Sequence, residues 1–135
     1  MSGAAEAFLD TNVLLYLLSA DTRKAERAEE VVARGGVVSV QVLNEFASVT
    51  TRKLGMRIAE AIEALHAVRA LCKVVALDVE THELGMRIAQ RHRLSIYDAM
   101  IVASARLAGC KVILSEDMQD GQRLEGMRIR DPFRG

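Results

Sequence analysis

Short apolar runs of strand length alternate along this chain with longer segments whose apolar residues recur every three or four positions. That alternation restricts the fold more than any other feature, because strands separated by helices pair in parallel and need helices over their faces. Ala7-Phe8-Leu9 reads as a strand ending at Asp10, and Val13 to Leu18 as a buried helix, too continuously apolar for a paired strand. Residues 22 to 34 place Ala25, Ala28, Val31 and Val32 on one helical stripe that Gly35-Gly36 stops. Val37 to Ser39 is a second strand, followed by helices over 40–53 and 57–71; Lys73 to Leu77 is a third, followed by a helix over 79–92. Ser95 opens a helix that runs to Ala108 and ends at Gly109, before a fourth strand, Lys111 to Leu114. Met127 to Ile129 adds a fifth at the edge. The expected fold is a single α/β domain over residues 1–135, with a short, mainly parallel sheet of four to five strands flanked by helices.

Half of the 135 residues are apolar, enough to bury a core without disulfides or a structural metal. Cys72 and Cys110 lie alone in apolar surroundings, as reduced core residues of a cytoplasmic protein do. No run of about eighteen apolar residues occurs, so no membrane span is expected. Met1 to Ala7 lacks the basic start and apolar stretch of a signal peptide. Basic and acidic residues balance at 18 each, which favours no partner by itself, but 14 of the basic residues are arginine. Arginines cluster near 23–27, 52–57 and 87–93; a planar fork suits phosphate, although solvated helix faces explain any one cluster. Leu54-Gly55-Met56-Arg57-Ile58-Ala59 recurs as Leu84 to Ala89, with a fragment at Gly126 to Ile129. Irregular spacing and unmatched flanks make this coincidence rather than a repeat architecture.

In parallel sheets, sites form beyond the carboxyl ends of strands, and acids stand there. Asp10 follows the first strand, where it could equally cap the next helix. Glu45 sits on the polar face of the helix after the second strand, with Gln41, Asn44 and Ser48. Helical side chains lean toward the N-terminus, which carries Glu45 toward the same edge. Asp98 lies three residues after Ser95, the spacing of a capping box. Asp117 follows the fourth strand, where a polar loop would explain it. If the four converge they repel one another unless a cation lies among them. Mg²⁺ or Mn²⁺ suits such oxygen donors and would activate water against a phosphodiester.

These motifs resemble the PIN-domain family, and within it the VapC-type ribonuclease toxins of toxin–antitoxin pairs. Phe8-Leu9-Asp10-Thr11-Asn12, Asn44-Glu45-Phe46, Ser95-Ile96-Tyr97-Asp98-Ala99 and Leu114-Ser115-Glu116-Asp117 match its four motifs in order, and the stretches Met118 to Gly121 and Asp131 to Phe133 also resemble toxin members. The resemblance implies a Mg²⁺- or Mn²⁺-dependent endoribonuclease acting on RNA, a homodimer, a bacterial or archaeal cytoplasm, and a cognate antitoxin covering the acidic groove. It carries over Asp10, Glu45, Asp98 and Asp117 as catalytic metal ligands, and Asn12 and Ser115 as their hydrogen-bonding supports. Glu116 and Asp120 are close alternatives to Asp117.

Other chemistries find less support. His66, His82 and His92 lack the paired spacing of a zinc site, and no nucleophile elbow or P-loop occurs. A dehalogenase-like phosphatase would need an acid where Asn12 stands. A receiver domain would need paired acids at the start and a lysine after a late strand. Within the fold, the alternatives are a nuclease acting on DNA or ribosomal RNA precursors, and a binding-only relative whose acids hold no metal. Tyr16 and Tyr97 could stack on a base, but five aromatics in all leave little for reading single-stranded RNA.

Overall fold

The computed structural model describes residues 7–134. The stretch Met1 to Glu6, on which the reading of an absent signal peptide mostly rests, lies outside the described residues. The elements alternate as the apolar pattern requires: β1 (Ala7–Leu9), α1 (Thr11–Leu15) with a 3₁₀ turn (Tyr16–Leu18), α2 (Thr22–Ala33), β2 (Val37–Ser39), α3 (Val40–Arg52), α4 (Ile58–Leu71), β3 (Lys73–Val75), α5 (Val79–His92), α6 (Ile96–Leu107), β4 (Val112–Leu114), β5 (Arg123–Leu124) and β6 (Met127–Arg130). The sheet runs β3-β2-β1-β4-β6-β5, and every pairing is parallel except that of β5 with β6. β1 and β4 are neighbours whose next parallel partners, β2 and β6, lie on opposite sides of the pair, a switch point that opens a crevice at their carboxyl ends.

Burial explains the strand sequences. Phe8 and Leu9 of central β1, and Val37 and Val38 of β2, are buried almost completely, as expected for strands covered on both faces. β6 instead alternates, with Met127 and Ile129 buried and Arg128 and Arg130 exposed, the pattern of a strand covered on one face. α6 is buried from Ala99 to Ala105 and packs on β2, β4 and α5. The core joins these residues to Val13, Leu14, Val42, Phe46, Val68 and Ile88.

Three details differ from the sequence reading. The first helix begins earlier, at Thr11, because Asp10 caps it, and it tightens into a 3₁₀ turn after Leu15; only Val13 and Leu14 of the expected run are fully buried. A sixth strand, β5, lies outside β6, so the Met127 strand is one place in from the edge. The turn between them is the two-residue Glu125-Gly126, both with positive φ (51° and 84°), which matches the twist of a tight hairpin. A glutamate in that conformation is uncommon. Its carboxylate takes Arg91 (2.7 Å) and His92 (2.7 Å) from α5 and Arg106 (2.5 Å) from α6, which ties the hairpin to both helices.

The Leu-Gly-Met copies occupy unrelated settings, as their irregular spacing suggests. Gly55 stands in a loop at φ +70°, whereas Gly85 is inside α5, where a Cβ would meet the Met100 sulfur of α6 at 2.5 Å. Cys72 and Cys110 are both buried and are not joined in a disulfide. Among the described residues, no helix is long and apolar enough to cross a membrane.

Candidate active site

The crevice at the carboxyl ends of β1 and β4 is an open cleft of about 610 Å³, and Asp10, Glu45, Asp98 and Asp117 all line it. Among the described residues, no lysine, arginine or histidine does. Four elements deliver the acids: Asp10 ends β1, Glu45 rides on α3 behind β2, Asp98 is in the first turn of α6, and Asp117 follows β4.

Asp10 is the most deeply set, at 6% exposure. It does cap α1, with Oδ1 accepting the Thr11 N–H at 2.7 Å. Its other oxygen accepts Ser115 Oγ at 2.8 Å and Asn12 Nδ2 at 3.3 Å. The cap and the ties to Ser115 and Asn12 therefore use different oxygens of one carboxylate. Burial pushes the Asp10 carboxyl up to about 6, against the pull of these hydrogen bonds, and the charges of Asp98 and Asp117 push the same way. The Asp98 carboxyl is raised by partial burial and by Asp117. Three carboxylates from distant parts of the chain thus feel one another, with no neighbouring cation in the lining to offset them.

Ser115, fully buried, is the joint between the two central strands. Its hydroxyl donates to Asp10 and accepts the N–H groups of Asp117 and Met118, each at 3.2 Å, so one side chain fixes both the first acid and the turn that presents the last. Asn12 Oδ1 accepts the Glu116 N–H at 3.0 Å, a second tie across the same gap. At Asp98, the Ser95 hydroxyl accepts the Asp98 N–H at 3.2 Å, half of the expected capping box. The Asp98 carboxylate itself lines the cleft, with the Ser95 side chain in hydrogen-bond contact.

Two supports went unnoticed in the sequence. Thr11 Oγ1 donates to Glu45 Oε1 at 2.7 Å and so steers the α3 carboxylate toward β1; its position beside Asp10 was the available signal. Gln41, grouped with the polar outer face, is 7% exposed and donates to the Tyr97 carbonyl at 3.2 Å, holding α3 against the start of α6. Of the alternatives to Asp117, neither lines the cleft. Glu116 is held by the Tyr16 hydroxyl and by Lys24 Nζ (2.9 Å). Asp120 accepts the Asp131 N–H at 2.8 Å and faces Arg134.

Oxygen-only donors without a basic neighbour suit a hard divalent ion. Among the described residues, no three acid, histidine or cysteine side chains stand close enough to clasp an ion unaided. The donor set therefore fits an ion that keeps several waters, as Mg²⁺ does, better than one enclosed by protein. His66 and His82 are exposed, and His92 belongs to the Glu125 cluster.

A PIN domain family model matches residues 7–119, and the chain belongs to the PIN-domain family. Solved structures of the same fold include a toxin–antitoxin complex from Klebsiella pneumoniae, 17% identical with TM-score 0.70, which covers 93% of this chain and 97% of that one. VapC20 of Mycobacterium tuberculosis, described as a toxin that cleaves the Sarcin-Ricin loop, is 24% identical with TM-score 0.67 over 82% and 89% of the two chains. DNA-bound VapBC from Salmonella typhimurium is 20% identical with TM-score 0.68 over 94% and 98%. No curated protein matches the chain.

Proposed function

We propose that this chain is a metal-dependent endoribonuclease, the toxin of a toxin–antitoxin pair, with Asp10, Glu45, Asp98 and Asp117 as its catalytic metal ligands. One observation carries the reading: four carboxylates from four elements share a cleft that no base lines, and burial and mutual repulsion hold the Asp10 carboxyl near 6. Isolated, such an arrangement costs stability; with a cation it becomes a binding site.

A bound Mg²⁺ or Mn²⁺ would lower the pKa of a coordinated water and offset charge on the phosphate during hydrolysis. The protein's own part is orientation. Ser115, Asn12 and the Thr11 N–H fix both oxygens of Asp10, and the Thr11 hydroxyl fixes Glu45. The N-terminus of α6 opens at the same cleft and adds partial positive charge toward a phosphate. Neighbours of this fold described as toxin–antitoxin complexes and as a Sarcin-Ricin loop cleaving toxin support a cognate antitoxin and an RNA substrate; an antitoxin seated over the acidic cleft, a second copy of the chain and a bacterial or archaeal cytoplasm complete the proposal. Exposed large apolar side chains, Ile58, Val79 and Tyr97 among them, suit protein contacts of this kind.

The test is cleavage of a mixed cellular RNA pool by the purified protein without antitoxin, with Mg²⁺ or Mn²⁺, with EDTA, and with Asp98→Asn alongside. Discrete fragments that need the ion and vanish in the variant are expected. Asp98→Asn keeps an acceptor at the helix start and should cost about 1 kcal/mol of stability at most. Equal losses of stability and activity would remove Asp98 from the catalytic set. Absence of both cleavage and ion binding by calorimetry would leave a PIN relative that only binds.

A further inference from the structure

The balanced net charge of this chain hides a separation. The carboxylate cleft carries four acids and no base. A second cleft, of about 570 Å³, has the opposite character: Arg27, Arg34, Arg130 and Arg134 surround it against Asp131 alone. It lies between α2 and the β4–β6 part of the sheet, and Val112 and Leu114 of β4, with Val31 of α2, give it an apolar floor. Its volume falls in the range of ligand-sized clefts, roughly 300–1,000 Å³.

The four arginines are not equally engaged. Arg27 donates to the Pro132 carbonyl at 2.7 Å and to Glu30 at 3.1 Å, and Arg134 faces Asp120 at 3.3 Å. Arg34 and Arg130 make no ion pair and no side-chain hydrogen bond among the described residues. Two unpaired guanidinium groups facing one hollow, with their neighbours braced beside them, form a receptor for paired anionic oxygens, which the planar fork binds in bidentate fashion.

We infer that this cleft holds backbone phosphates of the same RNA strand whose scissile bond lies among the carboxylates. The inference rests on the nuclease reading above. Position is the main argument. The Arg130 carbonyl accepts the Ser115 N–H at 2.9 Å, and the Ser115 hydroxyl in turn holds Asp10. β6 is therefore two strand spacings from β1 across the sheet, about 10 Å; Arg34, at the end of α2 beside the amino ends of the strands, adds the length of the strands to that separation, which several nucleotides of one RNA strand span. A hollow of about 410 Å³ shares Arg27 and Arg134 with the arginine cleft; Arg23 and Lys24 line it together with the acids Asp21, Glu26 and Glu30, and Lys24 reaches from it to Glu116. Glu116 is already tied to Asn12 at the catalytic edge. An apolar floor suits sugar and base edges, while the arginines take the phosphates. The sugar–phosphate backbone is recognised whatever its sequence, so the cleft supplies affinity and register, and selectivity must come from elsewhere.

The test reads binding apart from cleavage. A short fluorescent single-stranded RNA of mixed sequence is titrated with the full chain in EDTA, over a range of salt concentrations, and compared with Arg34→Gln/Arg130→Gln. Each lost phosphate contact flattens the salt slope by about 0.7 for single strands, so the pair should flatten it by about 1.4 and weaken binding on the order of tenfold. Arg69→Gln/Arg87→Gln removes the same charge from exposed positions on α4 and α5 and should leave the slope nearly unchanged; thermal melts verify that both variants fold. Equal effects from the two pairs would reduce the matter to net charge and overturn the inference, as would no effect from the cleft pair or no RNA binding by the unaltered chain. Loss of binding to polyglutamate with RNA binding intact would also overturn it, in favour of an acidic protein partner. Failure of the nuclease reading shows separately, as absence of cleavage with Mg²⁺ in a protein that still binds RNA.

Discussion

At the scale of single residues, the role proposed for Asp10 works against stability. Its carboxyl is raised from 3.8 to about 6, so the folded chain holds this proton more tightly than the unfolded chain does. Between those values the unfolded state releases the proton first, and folding stability falls as pH rises. The full shift corresponds to about 3 kcal/mol at neutral pH. Asp10→Asn should therefore raise the melting temperature of the ion-free protein at pH 7, leave it nearly unchanged at pH 4, and abolish cleavage. A lower melting temperature at pH 7 would mean that the lost acceptors outweigh the relieved charge. Ser115→Ala should act in the opposite sense. It strips Asp10 of a donor and leaves two N–H groups without their acceptor, costing about 2–3 kcal/mol in a denaturant melt. The acids themselves could be found from the sequence because each follows a recognisable strand or opens a helix. The partners of Thr11 and Gln41 could not: beyond Thr11's place beside Asp10, a hydroxyl next to a cap and an amide on a polar face reveal what they bind only once α1, α3 and α6 have met.

At the scale of elements, β1 to β4 and the five long helices after the first were readable because their periods are clean. β5 was not. Two residues, Arg123 and Leu124, carry no alternation to detect, and the turn that pairs them contains glutamate where asparagine or glycine would have announced a hairpin. What replaces that local preference is tertiary, the grip of Arg91, His92 and Arg106 on Glu125. His92 and the two guanidinium groups hold the Glu125 carboxyl below the usual glutamate range. The network thus stabilises the fold above the unfolded-state pKa of glutamate, and the benefit disappears as pH falls through the lower folded value. Both arginines are about half exposed, which limits the gain. Glu125→Gly relieves the backbone but loses all three partners. A net cost of about 1 kcal/mol at pH 7, shrinking toward pH 3, is expected from thermal melts. A stabilised Glu125→Gly would show that conformational strain outweighs the ion pairs.

For the whole molecule, the two clefts divide a neutral chain into an acidic edge and a basic flank. Ions should therefore act on it in opposite ways. Mg²⁺ should raise the melting temperature, by the equivalent of about 2.7 kcal/mol at a hundredfold excess over its dissociation constant. The gain should be larger at pH 7, where Asp10 is ionised, than at pH 5, and EDTA should reverse it. An equal gain at both pH values would place the ion away from Asp10. The sheet order has a further consequence, for synthesis. Strand β1 and its Asp10 precede their partners by most of the domain: β1 pairs with β4 through Ala7, Phe8 and Leu9 against Val112, Ile113 and Leu114, and Asp10 meets Ser115 across 105 residues. Domains are built from the N-terminus as the ribosome proceeds, and pairings this remote in sequence close late. A growing chain therefore carries no complete acidic cleft for most of its translation. A centre of the proposed kind, arranged in this order, stays inert beside the ribosome and the message until Ser115 and Asp117, which follow β4, have been delivered.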